Sequence, residues 1–173
     1  MSTHLVITII ANDRPGIVEQ VATVISQCEG SWLESSLSRL GGKFAGILLV
    51  EIAASRQEEL QTALKNLESK GIRVVLEQAG GDSFESGGDE LLLSVVGNDR
   101  RGIVGEISRV LARCNVNVDE LYTSTENAPM SGELLFHATA AIVLPVGLSR
   151  EALQDALEEL SDDLMVELDE LDE

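Results

Sequence analysis

"NDRPGIV" at residues 12–18 and "NDRRGIV" at residues 98–104 are nearly the same polar turn, each placed after an apolar run and before a helical pattern. The copies start 98 − 12 = 86 residues apart, too long for a solenoid repeat and right for a small domain. If the chain is duplicated, its hydrophobic pattern must repeat with the motif. Ile17, Val21, Val24, Ile25 and Cys28 fall on one face of a helix, and the same step of 86 leads to Ile103, Ile107, Val110, Leu111 and Cys114, all apolar. A second helical stripe, Leu60, Ala63, Leu64 and Leu67, is matched by Leu153, Ala156, Leu157 and Leu160. There the offset is 153 − 60 = 93, so the second copy has gained about seven residues, which the turn-rich "NAPMSG" (127–132) is expected to hold.

The remaining segments read as strands. "HLVITIIA" (4–11) and "ELLLSVVG" (90–97) are short, aliphatic and β-branched, and each opens into its turn. "SWLESSLSRL" (31–40) and "FAGILLVEIA" (44–53) flank Gly41-Gly42 as a hairpin, with "VNVDELYTSTE" (116–126) and "ELLFHATAAIVL" (133–144) in the same parts of the second copy. Alternation at Ile72, Val74, Leu76 and at Leu164, Val166, Leu168 supplies a last strand to each. The order β-α-β-β-α-β predicts an α+β chain of two ferredoxin-like units, each a four-stranded antiparallel sheet with two helices on one face. The expected boundaries are 1–79 for the first unit, 80–89 for a linker within the Gly- and acid-rich "AGGDSFESGGDE" (79–90), 90–169 for the second unit and 170–173 for an acidic tail.

Composition excludes several functions. With 30 acidic against 12 basic residues and a net charge of −18, the surface repels a phosphate backbone, so no direct nucleic-acid binding is expected. Cys28 and Cys114 stand at equivalent places without C-x-x-C spacing or a histidine cluster, which predicts core residues, with no metal site and no disulfide. His4 and His137 lie in strands with no nucleophile in a recognisable setting, the phosphate-loop and dinucleotide signatures are absent, and no enzyme or cofactor is expected. Trp32 reads as a packing residue. The N-terminus lacks a basic leader and no apolar run approaches the ~20 residues of a membrane span, so a cytoplasmic protein is expected.

The turn itself admits two readings. Gly16 and Gly102 let a strand hand over tightly to a helix, Pro15 suits a first helical turn, and Asp13 and Asp99 suit caps of the helix-start N–H groups. On that reading the chain is a scaffolding protein with no small-molecule ligand. The same free N–H groups and positive dipole end also suit a carboxylate, while a nearby Asp accepts from an ammonium group; a zwitterionic amino acid meets both demands.

A D-R-P-G turn after the first strand of a β-α-β-β-α-β unit resembles the ACT domain, a module that binds small molecules, often amino acids. The resemblance covers nearly the whole chain apart from linker and tail. It implies a ligand site at Asp13 and Gly16 and at Asp99 and Gly102, with Asn12, Asn98, Ile17 and Ile103 adjacent; Arg14 and Arg100 are candidate partners for a ligand carboxylate. The second copy departs from the pattern with Arg101 in place of Pro15. Ser31 and Asn117 are polar groups that a partner domain would contribute. A tandem of two such domains without a catalytic or DNA-binding unit is similar to the glycine cleavage system transcriptional repressor family. That similarity implies a non-enzymatic regulator that binds a LysR-type activator, with glycine relieving the repression; the two sheet edges of each unit suit pairing of the halves within one chain, the favoured expectation, and leave a homodimer possible.

Overall fold

Alternation places Leu5, Ile7, Ile9 and Ala11 on one face of the first strand, and the computed structural model, which describes residues 1–80 and 88–171, buries all four at 5% exposure or less. That strand, β1 (Ser2–Asn12), hands over to α1 (Ile17–Gln27). There follow β2 (Ser31–Leu40), β3 (Lys43–Ala53), α2 (Gln57–Lys65) and β4 (Arg73–Gln78). The second round is β5 (Glu90–Asn98), α3 (Ile103–Arg113), β6 (Asn117–Asn127), β7 (Leu134–Val143), α4 (Arg150–Glu158) and β8 (Met165–Glu170). The chain divides into two compact units, Met1–Ser83 and Phe84–Glu173.

Each unit has one antiparallel sheet, in the order β2-β3-β1-β4 and β6-β7-β5-β8. This is the ferredoxin-like arrangement expected from the sequence. The strand that carries the NDR turn therefore lies inside its sheet, paired on both sides. Ile17, Val21 and Ile25 of α1 and Leu60 and Leu64 of α2 close over the first sheet; Ile103, Ile107, Val110 and Leu111 of α3 and Leu153 and Leu157 of α4 close over the second. Fully burying such a side chain contributes roughly 1.5–3 kcal/mol, so each unit carries its own core.

The repeat extends to fine detail. Both first helices end at cysteine and then at a non-glycine residue in the left-handed region, Glu29 at φ 58° and Asn115 at φ 55°. In each case the next amide reaches back into the helix, Gly30 N–H to Ile25 C=O and Val116 N–H to Leu111 C=O, both at 2.9 Å. Cys28 is buried and burial pushes its thiol pKa up; both thiols are free.

The extra residues of the second copy fall mostly where expected. Gly41 and Gly42, both at positive φ, make a two-residue hairpin between β2 and β3, whereas residues 128–133 separate β6 from β7. Of the proposed linker 80–89, residues 81–87 lie outside the described residues. Within the rest, Asp89 C=O accepts from Leu144 N–H at 2.9 Å. Of the tail, Glu170 pairs with Leu91 as the last residue of β8 and accepts from Arg150, while residues 172–173 lie outside the described residues.

Candidate functional site

Each turn leaves the sheet at an asparagine. Asn12 is the last residue of β1, opposite Lys43, whose ammonium donates to Asn12 Oδ1. Asp13 N–H then donates to Gly42 C=O at 2.9 Å, and its carboxylate stands 3.6 Å from Arg39 Nη1. In the second unit Asn98 N–H donates to Asp163 Oδ2 at 2.8 Å and Asp99 N–H to Leu134 C=O at 2.9 Å. The Ser161 hydroxyl, followed by the Asn98 N–H, holds the Asp163 carboxyl below its ordinary pKa.

The helices begin one step later than the sequence suggests. Gly16 and Gly102 are the N-cap residues, at φ 93° and 87°, and no side chain caps either helix. Asp13 and Asp99 therefore do not serve as caps, and Pro15 precedes the N-cap instead of occupying the first helical turn. Such backbone angles are open to glycine and strained for other residues. A Cβ on either glycine would meet nothing within 4 Å, so conformation and not crowding requires glycine there. The first N–H groups of α1 and α3 thus have no side-chain acceptor, at the positive end of the helix dipole, although in the second unit the Ile103 N–H donates to Arg100 C=O at 3.3 Å.

The arginines are engaged by the protein itself. Arg14 Nη2 donates to Gln20 Oε1 at 3.2 Å and to Lys70 C=O at 2.8 Å. Arg100 Nη1 lies 2.5 Å from Glu106 Oε2. Gln20 and Glu106 are equivalent positions (106 − 20 = 86), so both units spend this guanidinium one helical turn into the helix. Ile17 and Ile103 are each 3% exposed, so they offer backbone and not side chain to any ligand. Ser31 opens β2 as an exposed residue, and Asn117 Nδ2 donates to Asp119 Oδ1 at 2.6 Å. Each turn thus gathers a helix start, an aspartate and an asparagine; Gln20, Glu106 and Asp163 were missed by local reading. A polar residue on the buried side of a helical stripe was the available signal for the first two, and Asp163 had none in its neighbourhood.

Among the described residues no helix is long and apolar enough to cross a membrane, and no three metal-ligating side chains gather. Trp32 packs against the first core, and His137 Nε2 lies 2.7 Å from Glu126 Oε1.

Comparison with known proteins agrees with this architecture. Residues 3–76 match the family model for the ACT domain. A UPF0237 protein of Methanopyrus kandleri is 38% identical over 76 residues, 44% of this chain and 83% of that protein. Among solved structures, an unknown protein from Galdieria sulphuraria superposes with a TM-score of 0.81 at 29% identity, covering 99% of this chain and 100% of that one. A proposed glycine cleavage system transcriptional repressor superposes with a TM-score of 0.74 at 21% identity, covering 100% of this chain and 99% of that one, and shares its fold. A doubled β-α-β-β-α-β unit with an uncapped, glycine-led helix start, a matching family model and a curated relative covered over most of its length place the chain in the ACT-domain family.

Proposed function

We propose that this ACT-domain protein is a non-enzymatic, amino-acid-responsive regulator, and that its ligand is a small zwitterion, glycine first. The observation that carries the reading is the pair of helix starts at Gly16 and Gly102, each uncapped by any side chain and each led by a glycine with nothing within 4 Å of its Cβ position. A carboxylate placed there accepts the first helical N–H groups, and Asp13 or Asp99 accepts from the ammonium group. With Arg14 and Arg100 engaged elsewhere, the backbone and not a guanidinium carries the anion recognition. That favours a ligand with little beyond its two charged groups.

The similarity to a proposed glycine cleavage system transcriptional repressor supports a finer proposal. The chain represses glycine cleavage genes in the cytoplasm by binding a LysR-type activator, and glycine relieves that repression. A net charge of −18 disfavours contact with DNA and favours a basic protein surface. Symmetric pairing of two chains belongs to the same proposal.

Calorimetric titration of the full chain with glycine, serine and alanine tests the first part, with saturable heats expected for at least one of them. Heats of dilution alone for all three overturn it. Capture of the purified activator, with and without glycine, tests the second part: glycine is expected to weaken capture, and equal capture in both conditions contradicts the proposal. A scaffolding reading is favoured by one observation, the internal engagement of both arginines, and it predicts capture of partner protein with no ligand-dependent change in melting temperature.

A further inference from the structure

The two units share a template, and three reductions in apolar side-chain size meet at one place in the second. Strand register fixes the correspondence. Ile7 pairs with Leu48 and Leu93 pairs with Ala140; since 93 − 7 = 86, Ala140 stands where the first unit has Leu48. Val118, opposite Ile142, stands for Trp32, opposite Val50; Thr123, opposite Ala138, stands for Leu37, opposite Gly46. Three larger side chains have given way to smaller ones, while Gly46 to Ala138, Val21 to Ile107 and Val50 to Ile142 each return one carbon and Ala22 to Ser108 one oxygen.

In the first unit Trp32 and Leu37 pack against the core. Gly46 lies so close to β2 that a Cβ there would clash with the backbone at Ser36 and Leu37 and would come within 2.7 Å of Leu37 Cδ2. In the second unit β6 is exposed from Val118 to Asn127. Between α3 and the sheet there remains a cavity of about 40 Å³, lined by Ile107 and Leu111 on one side and by Ala138 and Ala140 on the other. Three residues that line it, Val104, Val118 and Leu121, are large apolar side chains 41%, 39% and 51% exposed. A rim of exposed apolar groups around an apolar hollow has the form of a binding site.

Its chemistry selects the occupant. No lining residue is charged, in a chain that carries 30 acidic residues. The side-chain hydroxyls of Ser108 and Thr123 are the polar side chains of the lining. A volume of this size has room for roughly three waters, yet each water needs two to four polar partners to be held well. Exchanging such water for an apolar group is favourable.

We propose that the second unit binds a small neutral molecule by inserting a compact branched-aliphatic group between α3 and β6, with its polar end at the Ser108 and Thr123 hydroxyls. The site lies wholly within the second unit; it shares Val104 with the helix start, and its readout at Ala138, Ala140 and Ile107 is separate from the helix-start amides. Methyl-resolved NMR titration of the full chain with isobutanol and with isopropanol tests it. The expected result is a saturable shift at Ala138, Ala140 and Ile107. Ala140→Leu, which restores the side chain of the first unit, is expected to weaken that affinity at least about tenfold. Val118→Trp, at the exposed rim, serves the same purpose if the first variant fails to fold. Absence of saturation in the unsubstituted protein, or shifts that persist unchanged in both variants, overturns the proposal. So does a rise in melting temperature for Ala140→Leu without saturable binding beforehand, because the hollow is then a packing defect.

Discussion

In the first unit the turn after β1 is held from the side, by Arg14 reaching Lys70 C=O and by Lys43 and Arg39 reaching Asn12 and Asp13. In the second, Asp163 takes the Asn98 N–H, and Arg100, ahead of α3, pairs with Glu106 in the first turns of that helix. The backbone outcome is the same within a few degrees: Gly16 at φ 93°, ψ −2°, Gly102 at φ 87°, ψ 2°. Two sets of polar contacts therefore maintain one geometry, which points to the helix start and not to its supports as the common feature. Core filling separates the units in the opposite way, since the same backbone is packed by Trp32, Leu37 and Leu48 in one and left hollow in the other.

The largest effect expected from exchanging the units' residues lies in that filling. Leu48→Ala is expected to cost about 2–5 kcal/mol in urea unfolding, because Leu48 is 2% exposed beneath a packed layer. The reciprocal Ala140→Leu is expected to cost less than about 1.5 kcal/mol or to stabilise, because its methyl groups enter existing space. Equal losses would mean that the units are packed alike. Next in size, Gly16→Ala and Gly102→Ala are each expected to lose about 1–2 kcal/mol from backbone strain alone. A marked inequality between them, in the same unfolding measurement, breaks the claim that the two turns are held in one geometry.

Acid sharpens the comparison further. The Asp163 carboxyl titrates below its ordinary value when folded, so its stabilising contribution is complete above the unfolded pKa, about 3.9, and is lost as pH falls through the folded value. The urea midpoints of the unsubstituted protein and Asp163→Asn are thus expected to differ by a constant amount above about pH 5 and to converge below about pH 4. A gap that persists unchanged into acid would show that the charge is irrelevant. The smallest effect expected is at the arginines. Arg100→Ala is expected to cost up to about 1 kcal/mol and less at high salt, since it removes a half-exposed ion pair. Arg14→Ala removes hydrogen bonds to neutral groups and is expected to cost about 0.5–1.5 kcal/mol with no salt dependence, read from unfolding in low and high salt.

Much of this was legible in the sequence, because an 86-residue echo carries hydrophobic period and turn chemistry together. Strand order, helix faces and the Gly41-Gly42 hairpin all follow from local spacing. The start of each helix did not: apolar periodicity marks a face and not a first residue, and a glycine N-cap carries no side chain to announce itself. The partners of the turn were hidden for a different reason. Lys70 and Asp163 approach from the far end of the unit, 56 residues from Arg14 and 65 from Asn98, where local pattern has no reach. The hollow in the second unit required strand register, since only cross-strand pairing reveals that Ala140 replaces Leu48.

The central claim is that two uncapped helix starts hold a small zwitterion, and amide-resolved NMR titration of the full chain with glycine addresses it most directly. The account predicts saturable shifts at the amides of Ile17 and Val18 and of Ile103 and Val104, with no comparable shift in α2 or α4. Amides at both helix starts that stay unmoved while the chain is titrated with glycine and then with serine and alanine would contradict it.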